Sequence, residues 1–83
     1  MSRHEKLLQR ITSMPKDFTW PELISLMASF GIELHTTGGS ARRFVNPVSR
    51  QTFYIHQPHP SSILKPYQLR EAVKFLRQEG FLA

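Results

Sequence analysis

Residues 36–67 read TTGGSARRFVNPVSRQTFYIHQPHPSSILKPY, and this stretch decides the fold. Gly38-Gly39 is a hairpin signal between two extended runs. Ala41 to Asn46 forms the second of these runs, and Asn46-Pro47 opens another turn. Thr52 to His56 then alternates, with Phe53 and Ile55 directed inward and Thr52, Tyr54 and His56 outward. If Phe44 also points inward, period two sends Ala41 and Arg43 to the outer face with Tyr54 and His56. The loop QPHPSSILK over residues 57–65 is rich in proline and serine, and too short to link two domains.

Upstream, Ile32 to Thr37 alternates Ile32 and Leu34 against Glu33 and His35, a half-buried strand. His4 to Ser13 carries Leu7, Leu8 and Ile11 at helical spacing, and Pro15 disfavours helical backbone at Met14. Thr19-Trp20-Pro21-Glu22 is a capping box with proline in the first turn of a second helix. Leu23, Ile24, Met27 and Phe30 line one face of that helix, and Gly31 ends it. Downstream, Pro66 fits the first position of a last helix running through Glu79, with Leu69, Val73 and Leu76 inward and Gly80 at its end. Phe18, Trp20 and Phe75 are expected in the core. The fold class is therefore α+β, with a three-stranded antiparallel sheet packed on helices in the order α-α-β-β-β-α. Its last five elements follow the succession of double-stranded-RNA-binding folds, which alone says little about function.

The 83 residues suit a single domain over 1–83. A chain of this size buries roughly 60–65% of the surface its unfolded form exposes, so the core is small. Absence of cysteine excludes disulfides and thiolate metal sites, and fits a reducing compartment. The N-terminus is polar rather than signal-like, and no apolar run is long enough to span a bilayer. The protein is thus expected to be cytoplasmic, with no membrane partner. Eleven Lys and Arg against six Asp and Glu give +5, a balance that favours polyanions and, in the cytoplasm, nucleic acid. The same charge also serves simple solubility.

Three kinds of chemistry compete for these residues. His56-x-x-His59 lacks a third nearby ligand, so no metal site and no cofactor are expected. A serine nucleophile finds neither a Gly-x-Ser-x-Gly elbow nor any aspartate besides Asp17. Metal-free RNA cleavage asks for less: a base near neutral pKa for the 2′-hydroxyl and cations for the phosphorane. His56 or His59 suits the first task, and Arg42, Arg43 and Arg50 the second. Gly38, Gly39 and Ser40 allow close approach of backbone amides to a phosphate, and Lys65 adds charge at the end of the loop. Singly, each part also reads as a turn, a solvated strand edge or an exposed strand residue. Arg70, Lys74 and Arg77 share one face of the last helix, as a phosphate-tracking stripe or as its ordinary wet side.

Three segments carry a resemblance to a known family: KDFTWPEL (16–23), GGSARRF (38–44) and HQPHPSSILKPY (56–67). Over nearly its full length the chain resembles the HicA-like toxins of bacterial toxin–antitoxin pairs. That resemblance implies a double-stranded-RNA-binding-like fold, an endoribonuclease that cleaves mRNA, and neutralisation by a cognate HicB-like antitoxin. In much of that family a Gly-Ser-His motif opens the second strand, and its histidine is taken as catalytic. Here Gly39-Ser40 is followed by Ala41. Alanine moves no proton, so the chain as written lacks that base. A replaced histidine, a branch using His56, His59 or an arginine, and a non-catalytic RNA-binding module all remain open on sequence.

Overall fold

The computed structural model describes residues 3–82. Helices α1 (Arg3–Thr12) and α2 (Trp20–Ser29) precede strands β1 (Glu33–Gly38), β2 (Ala41–Val45) and β3 (Thr52–His56), and α3 (Pro66–Gln78) follows. The strands form one antiparallel sheet in the order β1-β2-β3. The expected α-α-β-β-β-α order is therefore the observed one, with ends that differ from the sequence reading by one residue or so. Ile32, expected to begin β1, lies just before it and is buried.

Local chemistry sets the element ends. Met14 takes φ +53°, outside helical space, just ahead of Pro15. Thr19 caps α2 reciprocally: its hydroxyl accepts from the Glu22 N–H, and a Glu22 carboxylate oxygen accepts from the Thr19 N–H at 3.0 Å. Beyond α2 and α3, the N–H groups of Ile32 and Phe81 reach back to the carbonyls of Met27 and Leu76, closing both helix ends alike.

The core lies between the inner sheet face and the helices. Trp20, Phe44, Phe53 and Phe75 form a run of neighbouring rings, with centroid separations of 5.6, 6.3 and 5.6 Å. This run joins α2, β2, β3 and α3 through one apolar seam, and each ring is buried. Leu23, Met27, Leu69, Val73 and Leu76 fill the helix sides as their spacing requires.

Three polar ties fix the frame. Arg10 of α1 grips the Glu22 carboxylate with two N–H donors at 2.8 and 3.2 Å and reaches Asp17 at 3.1 Å. The Arg10 guanidinium holds the Glu22 carboxyl below its ordinary range, against an opposing push from burial. The loop before α3 crosses α2's start, where Trp20 N–H donates to Ser62 and Leu64 N–H to Phe18. At the other end, Glu79 accepts from buried Asn46 at 2.8 Å and from the Ser49 hydroxyl, securing the β2–β3 turn to the end of α3.

Candidate functional site

Register places the candidate residues. Ala41 pairs with His56 and Arg43 with Tyr54, so these four share the outer face. His35 pairs with Arg43 from the β1 side, adding a second imidazole to that face. Arg42 pairs with Ile55 and belongs to the opposite face. Its guanidinium donates to the carbonyls of Gly39 at 2.7 Å and Ala41 at 2.9 Å, bracing the β1–β2 turn. Arg50 lies in the β2–β3 turn at φ +64°, at the other end of the hairpin from Ser40 and His56. The three strand and turn arginines thus separate, and Arg43 alone shares a face with His56.

At the near end, Gly38 and Gly39 carry φ +115° and +53°, with a register shift between Thr36 and Gly38. This irregular turn delivers Ser40 to His56: the Ser40 hydroxyl and His56 Nδ1 lie 3.2 Å apart. Gln57 N–H donates to the Ser40 carbonyl at 2.8 Å, which carries the pairing one step past β3. Ser40, His56, His59 and Lys65 line a common depression of ≈ 290 Å³, together with Tyr67 and Gln68. Among the described residues no group of three or more His, Cys, Asp and Glu is placed to hold a metal ion.

The sequence reading passed over Gln68 and Tyr67. Gln68 is buried within the first turn of α3. Its amide donates to the His56 carbonyl at 2.9 Å, and its oxygen accepts from the Lys65 N–H at 3.0 Å. One side chain therefore joins the end of β3 to the start of α3, with His56 and Lys65 at the two contacts. A glutamine three residues past the helix boundary is half of a capping pattern, a signal the sequence did contain. Tyr67 keeps 53% of its surface exposed beside the depression, and Tyr54 71% on the outer face.

Arg43 supplies the remaining electrostatic feature. Its Nε is buried without a hydrogen-bond partner, an arrangement that leaves a charged group undersupplied with acceptors. The side-chain set can therefore orient an imidazole, offer a second one nearby, and present cationic groups from Arg43 and Lys65.

No helix among the described residues is long and apolar enough to cross a membrane. Compared with known proteins, residues 20–81 match the family model described as the HicA toxin of bacterial toxin–antitoxin. Neither the curated proteins nor the solved structures gave a significant match. The matched residues take in α2, the whole sheet, the His56 loop and α3, and the chain belongs to the HicA toxin family, the toxin half of a toxin–antitoxin pair.

Proposed function

We infer that the chain, read as one domain over residues 1–83, is a metal-independent endoribonuclease toxin acting on mRNA, silenced by a HicB-like antitoxin. The observation that carries this reading is the Ser40–His56 contact at 3.2 Å, made in a depression that His59 and Lys65 also line. With Nδ1 engaged, Nε2 of His56 is the nitrogen available to move a proton. In the reaction proposed, His56 takes the 2′-hydroxyl proton and the 2′-oxygen bonds to the adjacent phosphorus. The bond from phosphorus to the 5′-oxygen breaks, and that oxygen takes a proton from His59 or Lys65. The products are a 2′,3′-cyclic phosphate and a 5′-hydroxyl. Arg43 and Lys65 offset charge on the phosphorane, and the Gly39–Ser40 turn lets backbone approach its oxygens.

Ala41 faces His56 where much of the family carries histidine, so one proton carrier is missing from this arrangement. That position favours a second reading, a non-catalytic RNA-binding module, and the two differ in whether new RNA ends form. The test is to incubate the purified chain and its Ala41→His variant with single-stranded RNA and analyse the ends. Cyclic phosphate ends from either protein support the nuclease reading. Binding by both without new ends supports the module.

A further inference from the structure

The depression at His56 continues into a cleft along the free edge of β3. Tyr67, His56 and Gln68 border both, and beyond them Tyr54, Tyr67 and Glu71 line the cleft together. The same three residues, with Lys74, line its wider extension of ≈ 560 Å³ between β3 and α3. Two exposed tyrosines and one carboxylate thus line the same cleft as His56.

Backbone alternation adds hydrogen-bonding groups there. Gln57 is bonded to Ser40 across the ladder, whereas the His56 carbonyl turns away from β2 to receive Gln68. Antiparallel pairing alternates residue by residue, so the main-chain N–H and C=O of Tyr54 also point to the free edge. The cleft therefore offers π-faces, main-chain donors and acceptors, and a carboxylate.

Glu71 is the odd member of this set. A carboxylate beside a phosphate path repels the backbone it borders, and it has no ion-pair partner among the described residues. Accepting N–H groups from the ligand offsets that repulsion. Among the four RNA bases, guanine alone places two adjacent donors, N1–H and N2–H, on its Watson–Crick edge. Uracil sets its one N–H between carbonyl oxygens, while adenine and cytosine pair an amino group with a ring acceptor. Access to that edge and to both ring faces requires an unpaired base.

We propose that the Tyr54–Tyr67–Glu71 cleft is a base-recognition subsite for an unpaired guanine next to the scissile phosphate. The proposal rests on the RNA reading above and adds a substrate preference to it. Tyr54 and Tyr67 supply stacking surface, and Glu71 selects the base.

The test uses non-cleavable 2′-O-methyl RNA hexamers, UUUGUU, UUUAUU and UUUUUU, with binding followed by fluorescence anisotropy at low salt. The expected result is about tenfold tighter binding of the guanine hexamer than of either other. Glu71→Gln is expected to cut that preference to about twofold while still binding all three. Tyr67→Ala is expected to weaken all three by about tenfold. Both positions are exposed, so neither change disturbs the core. Equal binding of the hexamers by the unaltered protein, or an intact guanine preference in Glu71→Gln, overturns the subsite alone. No binding to any hexamer overturns the RNA reading and the subsite together.

Discussion

Ala41 stands directly across the β2–β3 ladder from His56, and the Ser40 hydroxyl beside it contacts Nδ1 of that imidazole. The position that lacks a proton carrier is thus adjacent to one that has it, on the outer sheet face. Ala41→His is expected to raise RNA cleavage by about 100-fold or more, the scale on which one general acid or base acts. Expression in bacteria should then produce growth arrest and loss of mRNA. An unchanged cleavage rate in a folded Ala41→His protein would place the chemistry elsewhere.

The opposite faces of Arg42 and Arg43 separate two effects that adjacent arginines normally share. Arg43→Glu should weaken RNA binding by about tenfold and lower the salt slope by about one unit per cation removed. Arg42→Ala should leave RNA affinity within about twofold, yet cost about 1 kcal/mol of stability through the lost turn hydrogen bonds. Salt-dependent binding and denaturant unfolding of both variants measure the contrast.

Gln68 couples the site to the fold. Gln68→Leu keeps a side chain of similar length but leaves the His56 carbonyl and the Lys65 N–H without their partner, at a cost of about 1–3 kcal/mol. Urea unfolding checks the stability loss. Two-dimensional NMR of the same variant should show displaced His56 ring resonances, because the strand end that carries the ring loses its anchor. Ring resonances unchanged from those of the unaltered protein would show that Gln68 only stabilises.

The Arg10–Glu22 pair predicts an acid-side loss of stability. Glu22 is depressed below its ordinary value of 4.5, chiefly by the hydrogen bond from Arg10. A folded-state pKa below the unfolded one means the contribution is present above the unfolded value and disappears as pH falls through the folded one. Melting temperature should therefore fall with acidification below about pH 4.5, and fall less steeply in Glu22→Gln. Glu22→Ala should cost about 2 kcal/mol near neutral pH, because it also removes the cap on Thr19.

Local chemistry was legible in the sequence; partnership across long separations was not. The Thr19–Glu22 box, the Pro66 start of α3 and the alternation of Thr52–His56 each depend on residues a few positions apart. Period two sends Arg43 outward and Arg42 the other way, so neighbouring arginines on a strand do not make one charge patch. Gln68 is not legible as a site residue because its strand partner is the carbonyl of His56, 12 positions upstream. The Arg10 grip on Glu22 spans a similar gap between two helices, and no pattern within either helix announces it. Tyr67 joins β3 residues in one cleft only through the packing of α3 along that strand, which no local pattern encodes.

Gln68 secures the start of α3 to the end of β3, and Glu79 secures the other end of α3 to the turn that leads into β3. Ties at both ends oppose movement of the helix away from the strand it borders. The two ties set the width of the gap between helix and strand, as the spacer of a gauge does. The walls and floor between them, at Tyr54, Tyr67 and Glu71, are separate from both fastenings. Selectivity in such a frame is inherited as a spacing and edited as a surface.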